Sequence, residues 1–143
     1  MRAIAQRIAM FLTFLALFLP GAPASAQHVK PPSAGQLGVP VYPRATFIQA
    51  FTAGPLARYL YASNDLAIQI ARFYERKTGR KAERTTDPDG LQIYRIVVKG
   101  PSSSALPGLE IRVNHYPGGS IIPDRKGETQ LFAATFVISK KIR

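Results

Sequence analysis

The chain has 143 residues, of which 46% are hydrophobic, and it carries 19 Lys and Arg against 8 Asp and Glu. It contains no cysteine, which excludes disulfides, thiolate metal sites, a thiol nucleophile and a lipid-modified cysteine. This length suits a single domain. The formal charge of +11 favours anionic partners such as nucleic acid, lipid headgroups or acidic envelope polymers, without choosing among them.

The first 26 residues have the pattern of a cleaved export signal. Arg2 and Arg7 both precede an almost wholly apolar run over 8–19. Ala24-Ser25-Ala26 supplies the small-x-small pattern that signal peptidases recognise. The run is shorter than the roughly 20 residues that a membrane-spanning helix needs. We therefore expect a periplasmic or secreted protein that begins at Gln27, has a formal charge of +9 and contains no transmembrane segment.

The rest of the chain is divided into a tether and one domain. Residues 27–40 contain several prolines and small residues with no periodicity, and we interpret them as a flexible tether. A single α+β domain is predicted over 41–143. Near its start, the apolar run 47–51 predicts either a strand or a buried turn. Residues 58–62 are aromatic and short, which predicts a strand at an edge of the sheet.

The clearest predicted element is a helix at about 64–78. Ser63-Asn64-Asp65 supplies the residue types of an N-cap, and Gly79 is suited to end the helix in a left-handed conformation. The apolar residues fall on one stripe of this helix. These are Leu66, Ala67, Ile70, Phe73 and Tyr74.

The remainder predicts strands. Residues 82–86 and 91–99 flank a proline- and glycine-containing turn and indicate a hairpin. Residues 109–116 alternate between apolar and polar side chains, which is typical of a half-buried strand. Residues 117–130 are predicted to be a functional loop or a disordered connection. Residues 131–139 predict the last strand.

These elements predict one principal helix packed on an antiparallel sheet of four to five strands. The strands at 91–99 and 131–139 carry apolar residues on both faces, so a second layer is needed. We expect residues 41–56 or a second subunit to cover that face. The second possibility predicts a homo-oligomer formed through an exposed sheet face.

A line of cations on the helix is the candidate anion-binding site. Arg72, Arg76 and Arg80 are spaced i, i+4 and i+8, and Lys81 and Arg84 extend the group. Guanidinium groups in such a row can bind phosphates or carboxylates bidentately. The alternative is an ordinary solvated helix face whose cations favour the helix C-terminus.

One trio has the residue types of a nuclease-like acid–base site. Glu110, Arg112 and His115 supply a carboxylate, a phosphate-binding arginine and an imidazole. In a regular strand, however, Glu110 and Arg112 share one face while His115 points to the other. We therefore expect His115 to end the apolar face with its ring bound to backbone, and we assign no catalytic residue.

The sequence predicts neither a metal site nor a cofactor. Its two histidines, His28 and His115, lie far apart and no cysteine accompanies them, so there is no zinc pattern. The turn Asp87-Pro88-Asp89-Gly90 has too few ligands for calcium.

Two segments resemble small exported bacterial proteins of uncharacterised function. They are Val39-Pro40-Val41-Tyr42-Pro43-Arg44-Ala45 and the stretch from Tyr61-Ala62-Ser63-Asn64-Asp65 into Ala71-Arg72-Phe73-Tyr74-Glu75. Those proteins share a "VPVYPGA"-like start and an "FY" pair in the helix, with glycine where this chain has Arg44. The resemblance covers residues 41–80 and implies an α+β domain in the cell envelope. It implies no activity.

Together, these features predict an exported, non-enzymatic domain that binds an anionic envelope ligand through its basic helix face. One alternative is a hydrolase that acts on nucleic acid or another anionic polymer. The other is a structural subunit of an envelope assembly.

Overall fold

The computed structural model describes residues 30–123 and 126–142, which form two helices and eight strands. The expected export signal, its cleavage site and residues 27–29 lie outside the described residues. In chain order the elements are α1 (Ala34–Leu37), β1 (Ala45–Ala53), β2 (Leu56–Ser63), α2 (Ala67–Thr78), β3 (Glu83–Thr86), β4 (Gln92–Lys99), β5 (Leu109–His115), β6 (Ser120–Pro123), β7 (Thr129–Phe132) and β8 (Ala134–Lys141).

Six of the strands form one antiparallel sheet in the order β1-β2-β8-β5-β4-β3, and β6 and β7 pair separately as a hairpin. The α+β class and the antiparallel sheet are therefore confirmed, with six strands in place of four to five. The run at 47–51 is the middle of the nine-residue β1, which adds a strand to the predicted sheet, and β2 lies inside the sheet rather than at the predicted edge.

The helix α2 packs on one face of this sheet, and aromatic rings fill the space between them. The rings of Tyr61 and Phe136 stack with centroids 5.0 Å apart, and the ring of Tyr74 lies 5.8 Å from that of Phe136. Such large apolar rings bury much of the surface that stabilises a small domain. The fully buried side chains on this side include Leu37, Ile70, Ile96, Ile111, Val113 and Ile138.

The structure corrects the boundary between tether and domain. The Ser33 hydroxyl accepts a hydrogen bond from the Gln36 backbone N–H, and the Gln36 side-chain oxygen accepts one from the Ser33 N–H, which starts α1. Leu37 at the end of α1 is fully buried in the core. The Lys140 ammonium, from β8, donates to the Gln36 carbonyl at 2.7 Å. Residues 33–40 therefore belong to the domain, and their interpretation as a flexible tether was wrong.

The start of the principal helix is also corrected. The helix α2 begins at Ala67, three residues later than predicted, and Leu66 before it is 55% exposed rather than part of the apolar stripe. Ser63 and Asp65 do not cap it, because the Ser63 hydroxyl accepts from the Asp65 N–H and the Asp65 carboxylate is bound to Arg44. The predicted end is confirmed, since Gly79 adopts φ 68° after Thr78.

The strands after α2 follow the prediction with two differences. The predicted last strand at 131–139 is divided between the end of β7 and β8, which runs from Ala134 to Lys141. The hairpin of β3 and β4 and the alternating strand β5 are confirmed. Residues 117–130 were predicted to be a loop or disordered, but those that the structure describes contain β6 and the start of β7. Ile121 and Leu131 are paired across this hairpin and are both exposed.

Residues 41–56 do not cover the second face of the sheet. The strand β1 lies at the sheet edge, while Val41 and Tyr42 pack on the helix side. The loop 101–107 is instead held beside the helix-free face. Arg95, from β4, donates to the carbonyls of Ser102 and Ser104 at 2.7 and 2.8 Å. This loop and the sheet line a partly open cavity.

Candidate anion-binding sites

Three arginines from two parts of the chain lie together on the helix side. Arg72 and Arg76 project from the exposed face of α2, and Arg44 lies at the turn before β1. With Gln69 and Phe73, and with Tyr42 and Pro43, they line an open cavity of about 390 Å³. We call Arg44, Arg72 and Arg76 the helix-side cluster.

Arg44 is held in place by the residue that was predicted to cap the helix. Its Nε lies 2.8 Å from Oδ2 of Asp65, and the Tyr42 hydroxyl donates to the same oxygen at 2.5 Å. Burial and this hydrogen bond raise the pKa of Tyr42, so the phenol stays protonated and continues to donate. The ion pair with Asp65 therefore orients the Arg44 guanidinium group, while 74% of the side chain stays exposed to solvent.

Arg72 and Arg76 have no acidic partner among the residues that the structure describes. Both side chains are exposed, and each guanidinium group can donate in a planar fork to one phosphate or carboxylate group. The cluster thus carries three cations against the single carboxylate of Asp65. It is a surface with unsatisfied positive charge.

The five predicted residues do not form a single line. The left-handed Gly79 ends α2 and turns the chain, so the helical spacing does not extend to Arg80. Arg80 and Lys81 line a different cavity beside Arg95 and the loop 100–103. Arg84 lies on β3, with its guanidinium carbon 5.9 Å from the centre of the Tyr94 ring. The five residues that were predicted to form one row therefore lie on separate surfaces.

The nuclease-like trio is not brought together. Glu110 and Arg112 lie on the helix-free face, where Arg112 Nε donates to Glu110 Oε1 at 2.7 Å. His115 is on the helix side, and its Nδ1 lies 3.2 Å from the Ala133 carbonyl oxygen. The predicted contact between the His115 ring and backbone is confirmed.

The helix-free face contains a second candidate site that the sequence analysis missed. Its cavity has a volume of about 290 Å³ and lies between the sheet and the loop around Ala105 and Pro107. We call it the sheet-side cavity. Its floor and walls include Arg58, Glu110, Arg112, Asn114, Tyr116 and Ser139, together with Leu56, Leu91, Ile93 and Val137.

Arg58 is an unusual member of this lining. Its Nε is buried and hydrogen-bonds to no described residue. An unpaired buried donor costs about 1–3 kcal/mol, so such groups are uncommon in folded proteins. The sequence did contain a signal, since Arg58 alternates in phase with Leu56 and Leu60 on one face of β2. A charged residue between two apolar ones on a shared face was the feature to notice.

Within the described part of the chain, no helix is both long and apolar enough to cross a membrane. The same residues include no group of three or more His, Asp or Glu side chains placed to hold a metal ion. No known protein family, curated protein or solved structure matches this chain at a significant level. The resemblance to small exported bacterial proteins stays a prediction.

Proposed function

We propose that this protein is an exported, non-enzymatic domain that binds an anionic polymer of the cell envelope through the helix-side cluster. The observation that carries the proposal is that Arg72 and Arg76 are exposed and lack a carboxylate among the described residues, beside the anchored Arg44. Positive charge that the fold leaves unpaired is free to pair with phosphate or carboxylate groups. The expected export signal supplies the location.

The ion pair of Arg44 indicates that the fold orients at least one cation of the helix-side cluster. Arg44 is held by Asp65, and Asp65 is also bound by the Tyr42 hydroxyl, so one donor is oriented before any ligand arrives. Lys77 adds a fourth cation, with its ammonium 5.8 Å from the centre of the Phe73 ring. A surface with a pre-oriented donor loses less entropy when it binds.

A polymer fits this surface better than a single small anion. The cavity is open, and α2 is about 18 Å long, which separates the cations along its length. Arg80 and Lys81 form a further cationic patch beyond the end of the helix. A chain of repeated anionic groups can contact several of these positions at once, and each contact releases counterions.

Inorganic polyphosphate is a suitable probe of the mature protein. Binding should weaken steeply with salt, and replacing both helix arginines, Arg72→Gln with Arg76→Gln, should lower both the affinity and the slope of log Kd against log salt. The matched control is Lys99→Gln with Lys141→Gln, which removes the same charge at two exposed positions outside the cluster. Equal losses in the two double variants would show that only net charge matters, and the proposal would fail.

A structural role in an envelope assembly is the second candidate, and one observation favours it. Ile121 and Leu131 form an exposed apolar pair on the β6–β7 hairpin, 70% and 58% exposed. Exposed apolar pairs of this kind can mark contact surfaces. Sedimentation of the mature protein tests this, because Ile121→Lys should dissociate any oligomer that depends on the pair. If the protein is a monomer at all concentrations, self-assembly through this hairpin is excluded.

A further inference from the structure

The sheet-side cavity combines an apolar wall with a polar floor. Leu56, Leu91, Ile93, Pro107 and Val137 supply apolar surface around it. Its volume of about 290 Å³ is at the lower end of the range of small-molecule sites, which usually combine apolar walls with a few polar groups. The size and the walls therefore suit a small ligand with an apolar body.

The floor provides positive charge and spare donors. Arg58 and Arg112 flank β8 from its two sides, because Arg58 pairs with Ser139 and Arg112 pairs with Val137. Two strand spacings, roughly 10 Å, separate their backbones, so both side chains can reach a group above β8. The Arg58 guanidinium donates to no described residue, although its Nε is closed off from solvent, and only the Nε of Arg112 is used, by Glu110.

Glu110 limits the positive charge without cancelling it. The carboxylate is bound by Arg95 Nε at 2.8 Å and by Arg112 Nε at 2.7 Å, and the residue is 6% exposed. Arg95 uses its other nitrogens on the loop carbonyls, so it is not available to a ligand. With Arg58 counted, three cations stand against the carboxylates of Glu110 and the more exposed Glu83, which lies 3.8 Å from Arg95. The cavity therefore has room for one negative charge.

We propose that the sheet-side cavity is a second binding site, separate from the helix-side cluster, for a small amphipathic anion. Its ligand has a carboxylate or phosphate monoester head and a short apolar body. The head lies between Arg58 and Arg112, near the Ser139 hydroxyl and the Asn114 amide. The body packs between the apolar wall and Tyr116. None of the residues that line this site belongs to the helix-side cluster on the opposite side of the sheet, so the two sites are proposed to bind independently.

Calorimetry with defined probes tests this directly. Octanoate and octyl phosphate present the two heads on one body, acetate presents a head alone, and 1-octanol presents the body alone. At least one of the two amphipathic anions should bind, with acetate and 1-octanol about tenfold weaker or more, since each lacks one of the two contributions. The better of the two identifies the head. Failure of both to bind, or equal binding of acetate, would overturn the proposal.

Variants place the binding in the cavity. Arg58→Gln should weaken the binding of the better probe about tenfold or more, because the positive charge that binds the anionic head is lost. Arg72→Gln removes the same charge from the helix-side cluster and should leave this affinity unchanged. Arg112→Gln is the second test, since Arg112 is about half exposed and its loss leaves Glu110 bound to Arg95. Equal effects of Arg58→Gln, Arg112→Gln and Arg72→Gln would contradict the site.

Discussion

The helix-side cluster and the sheet-side cavity are both rich in arginine, yet the structure uses the residues differently. On the helix side, Arg72 and Arg76 are exposed and have no described carboxylate partner. On the sheet side, Arg95 and Arg112 are bound to the buried Glu110. The comparison teaches that the same residue type is paired with a buried carboxylate in one region and exposed without a described carboxylate in the other. A count of charges cannot separate these roles.

The largest effect should come from removing the carboxylate that defines the difference. Glu110→Ala leaves the Arg95 Nε without its carboxylate acceptor in a site where that side chain is only 18% exposed. Breaking one partner of a buried ion pair costs about 3–5 kcal/mol, because the remaining charge is uncompensated. Urea denaturation should show a loss of this size in the free energy of unfolding.

Glu83→Ala is the matched control for that variant. The Glu83 carboxylate is 60% exposed and lies 3.8 Å from Arg95, so its removal should change stability by less than about 0.5 kcal/mol. If Glu110→Ala and Glu83→Ala proved equal, the arginines on the sheet side would be no more structural than those on the helix.

An intermediate effect is expected in the core between the two regions. The Tyr61 hydroxyl is buried and hydrogen-bonds to no described residue. Removing an unpaired polar group from a buried position relieves its desolvation cost, so Tyr61→Phe should stabilise the protein by about 1 kcal/mol at neutral pH. Chemical denaturation at pH 7 measures this, and a loss of stability would show that the hydroxyl has a favourable partner.

Tyr61 also predicts a pH dependence. Burial raises the pKa of Tyr61 to about 12, from its ordinary value of 10. Because the folded state favours the protonated phenol, the free energy of unfolding should not depend on this group below pH 10 and should fall as the pH rises from 10 to 12. Burial also raises the pKa of Tyr74, which adds a loss in the same direction. The stability of Tyr61→Phe should therefore fall less steeply above pH 10 than that of the parent protein.

The smallest effect should be found on the helix side. Arg76→Ala removes an exposed guanidinium group that has no described ion pair, so the free energy of unfolding should change by less than about 0.5 kcal/mol. Thermal denaturation of this variant measures the change. A loss comparable to that of Glu110→Ala would mean that Arg76 stabilises the fold, and the contrast between the two regions would be lost.

Local patterns in the sequence predicted the local parts of the fold. The alternation of β5, the turn between β3 and β4 and the glycine after α2 depend on neighbouring residues, and each was predicted. The sheet order was not predicted, because β8 pairs with β2 and β5, which come much earlier in the chain. A register shift between Phe47 and Gln49 also interrupts the alternation of β1, so the strand was not evident from its sequence.

The errors at the helix start and in the candidate site have a similar cause. Asp65 is of a residue type and at a position typical of a helix cap, but Arg44 and Tyr42 from an earlier segment bind its carboxylate. The same contact brings Arg44 to the helix-side cluster, so a site predicted from the helix alone omitted it. Arg80 was included in the row by extending helical spacing beyond Gly79. Local spacing describes a surface only as far as its element continues.

The most direct test of the contrast between the two regions is one NMR titration that observes the arginine Nε–H signals of the protein. Polyphosphate should shift the signals of Arg72 and Arg76 and leave those of Arg58 and Arg112 in place. Octanoate or octyl phosphate, whichever binds, should shift Arg58 and Arg112 and leave the helix-side signals unchanged. If both probes shifted the same arginines, the two regions would form one general cationic surface, and the account would be wrong.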